Sequence, residues 1–354
     1  MAGKQTLAAL LVLIGTLACG LPPALVRRPP AATATIARPA ATSTPRVGPT
    51  ESPRPSVTEV PRTAVAASVP ATATPVPTAA TPPGPTPAPT WTPAPLPTLA
   101  AAPDEAEGAE LLIQTGVLDV YVFPDVDPAL RDWLLGQPER FDEITRSIEQ
   151  RLATRLERRI VLLVKPPEAG REVRANCPAR GAALRSEDGT HLIYLFADAT
   201  TSEAQKEAVV AHEIAHQAIF TKLGPGGGDV ILNEGLANWA IPQTWEDWQG
   251  APSYDSFVLE SLATGAFVPL TESVARNFAM PEEGEDCFET RDQVYNEWAS
   301  FVDFLIRRYG WGAIRRFWTQ DVEQDEERDY TVGFGKSLAE LEREWLAGLG
   351  RGVG

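Results

Sequence analysis

The organisation of the chain is clearest in residues 202–239, SEAQKEAVVAHEIAHQAIFTKLGPGGGDVILNEGLANW. Ser202 and Gln205 fit a helix-capping pattern, which predicts a helix from here to about Lys222. A Gly-Pro-Gly-Gly-Gly run then ends that helix, and a second helix is predicted to begin near Asn233. The connecting loop is long enough for the second helix to fold back beside the first.

The first of these helices contains the sequence HEIAH, with histidines at positions 212 and 216. Residues four apart share one helix face, so His212 and His216 can bind the same ion. Glu213 lies about 100° further round the helix, close enough to contact a water on that ion. The chain has only 3 histidines, which makes a chance match improbable. The alternative is two buried histidines that pack in a core without a metal.

A third ligand is predicted on the second helix. Glu234 follows His216 by 18 positions, across the glycine-rich turn. Two histidines and one glutamate leave a fourth position open for water, and this set is typical of catalytic rather than structural zinc. The residues therefore predict one zinc ion per chain.

HEIAH followed by NEGLANW resembles the gluzincin metallopeptidases, and in particular the small peptidase MA-like domains of bacteria. Two later runs are also similar to that family, LATGAFVPL at 262–270 and YNEWASFV at 295–302. The resemblance implies a zincin-like α+β fold. It also implies hydrolysis of peptide or protein substrates. No Gly-x-Met-Glu-Asn signature is present, so an endopeptidase is expected rather than an aminopeptidase.

The resemblance also implies a role for each residue of the site. His212, His216 and Glu234 are expected to hold zinc, and Glu213 to act as the general base. Tyr295 matches a tyrosine that donates a hydrogen bond to the oxyanion. An alternative role for Tyr295 is core packing, because it shares a helical face with other apolar residues.

Further residues near the motif have two interpretations each. Asn238, one turn after Glu234, either orients a ligand histidine or lies on the surface. The strand predicted at 192–196 either pairs with substrate at a sheet edge or lies inside the sheet. His191 either reaches the cleft or lies in a solvated loop. Three tryptophans form either an aromatic subsite or core: Trp239, Trp245 and Trp248.

The N-terminal residues 1–18 have the pattern of an export signal, with Lys4 before an apolar run. That run is shorter than the ~20 apolar residues that span a membrane. Thr16-Leu17-Ala18-Cys19 resembles a bacterial lipobox, which would make Cys19 a lipidated membrane anchor. Ordinary signal cleavage before Cys19 is the alternative.

Residues 19–103 are predicted to be a disordered linker. Of the chain's 33 prolines, 22 fall in 21–103, where Trp91 is the single aromatic residue, so little apolar surface can be buried. Residues 104–354 carry 24 Lys and Arg against 45 Asp and Glu, a net charge of −21. Such a domain repels phosphate backbones, which excludes nucleic acid as an expected partner.

The folded domain, 104–354, is predicted to be α+β because its strands precede its helices. Strands are expected at 117–123, 159–164 and 192–196, and further helices at 141–155, 292–309 and 337–349. After export, Cys177 and Cys287 form an even pair that suggests a disulfide; two buried free thiols are the alternative. The sequence as a whole predicts an extracytoplasmic zinc peptidase. The alternative is a non-catalytic, zinc-containing surface binding protein on a Pro/Thr stalk.

Overall fold

The computed structural model describes residues 103–174, 176–186, 188–224, 229–281, 286–321 and 328–349. The predicted signal segment, Cys19 and the linker up to residue 102 lie outside these ranges. Within them, no helix combines the length and the apolar character that crossing a membrane requires.

A five-stranded mixed sheet forms the first half of the domain, in the spatial order β1-β2-β3-β5-β4. The three central strands, β2, β3 and β5, run parallel, and the outer two are antiparallel to their neighbours. Central strands are covered on both faces, which is why they are continuous apolar runs rather than alternating ones. The strand bounds are β1 Glu110–Gln114, β2 Leu118–Val122, β3 Ile160–Lys165, β4 Gly181–Arg185 and β5 His191–Phe196.

Helices dominate the second half of the domain, which confirms the predicted α+β class. Two short 3-10 helices lie at Asp104–Ala106 and Pro167–Ala169. The α-helices are α1 Pro128–Leu135, α2 Pro138–Leu152, α3 Gly170–Val173, α4 Glu203–Leu223, α5 Val230–Trp239, α6 Pro242–Gln249, α7 Tyr254–Thr264, α8 Leu270–Phe278, α9 Cys287–Trp318, α10 Tyr330–Phe334 and α11 Leu338–Gly348.

The predicted boundaries are wrong at three helices. The helix expected at 141–155 is α2, which begins and ends three residues earlier. The helix expected from near Asn233 begins at Val230, because the Asp229 side chain caps it by accepting a hydrogen bond from the backbone of Leu232. Helix α9 starts earlier and ends later than 292–309. It contains a kink at Gly310, whose φ of 73° is accessible mainly to glycine.

Of the two interpretations of strand 192–196, the sheet-edge one is wrong and the interior one is confirmed. This segment is β5, which lies between β3 and β4. The edge strand beside it is β4, a five-residue segment that begins with Gly-Ala-Ala and that the sequence did not indicate as a strand. Short edge strands are common because they limit unwanted pairing, and they carry little β-propensity signal.

Helix α4 lies at the centre of the domain and is buried on nearly every side. It contacts α2 and α5 as well as strands β4 and β5. Helix α5 packs in turn against α9, and Gly235 permits a close approach there: a Cβ on Gly235 would lie 2.7 Å from the carbonyl oxygen of Trp298. The two helices that carry the predicted ligands are thus fixed by non-local packing.

A disulfide joins the segment before β4 to the start of α9. Cys177 and Cys287 are bonded, with their Cα atoms 5.7 Å apart. The same two segments share a salt bridge of 2.5 Å between Arg180 and Asp292. The edge strand and α9 are therefore tied together covalently and electrostatically.

Candidate metal centre and adjoining cavity

The structure brings the three predicted ligands together. His212 and His216 lie one turn apart on α4, and Glu234 lies on α5. All three are buried, and their ligand atoms lie within 4.8 Å of one another. His212 Nε2 is 3.0 Å from both His216 Nε2 and Glu234 Oε2, and His216 Nε2 is 3.5 Å from Glu234 Oε2.

A hydrogen bond to Asn238 determines which ring nitrogen of His212 is free to bind a metal ion in this cluster. His212 Nδ1 lies 2.8 Å from the Asn238 side-chain oxygen, which only accepts, so Nδ1 carries the proton. As a metal ligand, His212 would direct the lone pair of Nε2 towards Glu234 and His216. Converging electron pairs of this kind repel one another unless a metal ion or a shared proton lies between them.

The spacing of the donor atoms fits a metal ion. A tetrahedral ion with bonds of about 2.0 Å separates its ligand atoms by about 3.3 Å, and the three distances here span 3.0 to 3.5 Å. Without a metal ion, burial raises the pKa of Glu234, but hydrogen bonds and electrostatic interactions with the two histidines hold it below its usual value. The His212–His216–Glu234 group could therefore bind a metal ion through one carboxylate and two imidazoles.

Glu213 lies beside this group and faces a cavity. Its side chain is buried, and its Oε2 has no hydrogen-bond partner among the residues that the structure describes. Burial raises the pKa of Glu213 to about 8. A cation at the adjacent ligands would stabilise the carboxylate and lower this pKa again.

The cavity has a volume of about 580 Å³, including its open mouth. Elements from both sides of α4 contribute to its wall, among them the first residue of β4 and the start of α9. The residues that line the cavity include Arg180, Gly181, His212, Glu213, Asn238, Trp245, Trp248, Arg291, Asp292 and Tyr295.

Tyr295 lies in a position that fits both of its predicted roles. Its ring lines the cavity, and the ring centroid is 5.9 Å from that of His212. It also packs against Trp298 at 5.1 Å and is buried. The tyrosine is thus within reach of the centre while it contributes to the core.

The structure also shows where Asn238, His191 and the three tryptophans lie. Asn238 is buried against His212, so the surface interpretation is wrong. Trp245 and Trp248 line the cavity, whereas Trp239 packs on Trp311 and donates a hydrogen bond to Asp303. The histidine expected to reach the cleft or lie in a solvated loop does neither: His191 is buried as the first residue of β5.

Three cavity residues were not anticipated from the sequence: Gly181, Arg180 and Arg291. A Cβ on Gly181 would lie 2.5 Å from Glu213 Oε1, so only glycine leaves room for the carboxylate in its present position. Arg180 and Arg291 come from segments 111 residues apart, which the disulfide and the fold bring together. One signal was available, because Arg291 precedes Tyr295 by one helical turn.

No profile of a known protein family matches the chain, and a comparison with curated proteins finds no match.

Proposed function

We propose that the chain is an extracytoplasmic zinc peptidase with a zincin-like fold, which hydrolyses internal peptide bonds. The observation that carries this proposal is the convergence of His212 Nε2, His216 Nε2 and Glu234 Oε2 in a buried cluster beside an open cavity. A carboxyl group, Glu213, faces the same cavity without a hydrogen-bond partner for Oε2 in the described part of the chain.

Zinc is the metal that suits this donor set best. Two imidazoles and one carboxylate are borderline ligands, and Ca²⁺ or Mg²⁺ would favour a cage of oxygens instead. The hydrogen bond between Asn238 and His212 fixes the ring orientation, as outer partners of ligating histidines commonly do. Three protein ligands leave one position for water or substrate.

The chain supplies a base and a hydrogen-bond donor for amide hydrolysis. When bound, zinc polarises the substrate carbonyl and lowers the pKa of its water to about 7. Glu213 accepts a proton from the attacking water as the water oxygen bonds to the carbonyl carbon. Glu213 then delivers that proton to the amide nitrogen as the C–N bond breaks. Tyr295 is placed to donate a hydrogen bond to the negative oxygen.

Substrate is proposed to lie along β4. This strand pairs with β5 on one side only within the described sheet, and its first residue, Gly181, lines the cavity. An extended peptide that adds to an edge strand gains backbone hydrogen bonds with little dependence on sequence. Such pairing would carry a peptide bond past Glu213.

Export and a lipid anchor at Cys19 are part of the proposal and rest on the sequence of residues 1–19. The Pro/Thr linker would then hold the domain away from the membrane surface. Fractionation of cells that express a Cys19→Ser variant tests the anchor. Release of the variant into the soluble extracytoplasmic fraction is expected, and its retention with membranes would contradict a lipid at Cys19.

The function is tested by comparing the full-length zinc-loaded chain with its Glu213→Gln variant on a mixed peptide library. Glu203→Gln is the matched control, because Glu203 is an exposed residue of the same helix. The wild type and Glu203→Gln should both cleave peptides. Glu213→Gln should keep one zinc per chain and lose activity by about 10²- to 10⁴-fold.

Two outcomes would overturn this proposal. Cleavage by Glu213→Gln at the wild-type rate would exclude Glu213 as the base. A wild type that binds zinc but cleaves no peptide in the library would favour a non-catalytic binding protein.

A further inference from the structure

Two arginines, Arg180 and Arg291, lie in the cavity wall and have no role in the proposed chemistry. Arg180 precedes β4, and Arg291 lies in the first turns of α9. Both guanidinium groups lie against the same ring, with distances to the Phe288 centroid of 4.0 Å for Arg180 and 4.8 Å for Arg291. The two cations therefore lie close together at one end of the cavity.

These arginines differ in how their charge is compensated. Arg180 has a carboxylate partner, since its Nη1 is 2.5 Å from Asp292. Arg291 is only 6% exposed, yet among the described residues its side chain donates one hydrogen bond, to the Pro178 carbonyl oxygen at 3.2 Å. No salt bridge to Arg291 is found within that part of the chain.

An incompletely compensated buried cation is costly. A charged group removed from water loses several kcal/mol unless a counter-charge restores it. Among the described residues, Asp292 is the one carboxylate in salt-bridge contact with either arginine, whereas Asp286 acts on Arg180 and Glu213 on Arg291 only at longer range. Trp245, Trp248 and Phe288 surround the two arginines with low-polarity surface, where an added ionic hydrogen bond is stronger than in water.

We propose that Arg291 binds a substrate carboxylate, so that the enzyme selects peptides with a carboxylate next to the cleaved bond. The planar guanidinium fork matches a carboxylate through two parallel hydrogen bonds. Arg291 lies one turn before Tyr295, a rise of about 6 Å along α9, and the Tyr295 ring is 5.9 Å from His212. A carboxylate at Arg291 therefore belongs to a residue close to the bond held at the metal centre.

Two chemical sources supply such a carboxylate: an Asp or Glu side chain within the peptide, or the free C-terminus of the peptide. Four alanine-based pentapeptides separate these sources. A blocked peptide with a central Asp is compared with its Asn isostere to test the side chain. An all-alanine peptide with a free C-terminus is compared with its amidated form to test the chain end. This inference rests on the proposed peptide substrate, but it is first tested by binding.

The binding assay follows the change in intrinsic tryptophan fluorescence of the full-length Glu213→Gln chain, in which two of the 9 tryptophans, Trp245 and Trp248, line the cavity. The Asp peptide should bind at least tenfold more tightly than the Asn peptide, consistent with one charge-assisted hydrogen-bonded pair. Arg291→Gln should bring this ratio close to one. Arg291→Lys, which keeps the charge but not the fork, should give an intermediate ratio. Arg315→Gln, an exposed arginine on the same helix, should leave it unchanged.

The kinetic assay measures the ratio of kcat/KM for the Asp and Asn peptides in chains that retain Glu213. A preference for the free C-terminus over its amide, in place of the Asp preference, would assign the carboxylate to the chain end. The proposal fails if wild type shows neither preference, or if Arg291→Gln keeps the wild-type ratio while both substrates slow equally. Binding that depends on Arg291 without any cleavage would contradict the peptidase and leave the carboxylate site standing.

Discussion

Replacing Gly235 by alanine should weaken metal binding although no ligand is changed. The new Cβ would lie 2.7 Å from the carbonyl oxygen of Trp298 and 2.8 Å from a methyl carbon of Val302, whereas ordinary contact begins at 3.4 Å. Helix α5 must then move away from α9 by up to 0.7 Å, the difference between 3.4 and 2.7 Å. Glu234 is the preceding residue and moves with α5.

This displacement should change both the zinc affinity and the stability of the variant. Metal–ligand distances tolerate only about 0.2 Å, so we expect zinc affinity to fall by at least about tenfold. Overpacking costs about 1–3 kcal/mol, and alanine regains about 1 kcal/mol over glycine within a helix. The metal-free variant should therefore lose about 0–2 kcal/mol of stability. The loss in affinity should be the larger and more diagnostic effect.

The assay is chelator competition for zinc, together with thermal unfolding of the metal-free protein. Gly312→Ala is the matched control, because a Cβ there would meet only the flexible end of Arg316, at 3.8 Å. That control should keep its zinc affinity and gain up to about 1 kcal/mol. Wild-type zinc affinity in Gly235→Ala would refute the argument that the contact between α5 and α9 sets the position of Glu234.

Two further predictions concern stability. Reduction of the Cys177–Cys287 bond, or its removal by a double serine substitution, should lower the free energy of unfolding by at most about 5 kcal/mol, because it frees a loop of 110 residues. An unfolding midpoint that is the same with and without reductant would contradict the bond. Burial, with Arg185 and Arg158 nearby, lowers the pKa of His191 from 6.5 to about 4. As the pH falls, His191 is therefore protonated in the unfolded chain before it is protonated in the folded one. The contribution of neutral His191 to the free energy of unfolding is complete above pH 6.5. It is lost as the pH falls towards 4, and the loss is at most about 3 kcal/mol. Denaturant unfolding of wild type and His191→Phe from pH 7 to 4 checks this, since the variant should lose less stability over that range.

Much of the candidate centre follows from local sequence. Helical spacing places His212 and His216 on one face, and the structure finds both on α4 with Glu234 of α5 beside them. Short runs of apolar and β-branched residues likewise predicted the strands β2, β3 and β5. The sheet order was not predictable, because strand β4, which begins with Gly-Ala-Ala, carries little β-propensity signal and yet takes the edge position.

The cavity wall depends on non-local packing, and local spacing carries almost no information about it. Gly181 matters because the Glu213 carboxylate occupies the space of its missing side chain, a relation between residues 32 positions apart. Arg180 and Arg291 meet because β4 and α9 are tied through the disulfide and the Asp292 salt bridge. The candidate metal ligands thus lie in one short stretch of sequence, whereas the proposed selection of substrates depends on the contact between two distant segments. On this proposal, a change at that contact would alter which peptides bind while the three candidate ligands stay in place.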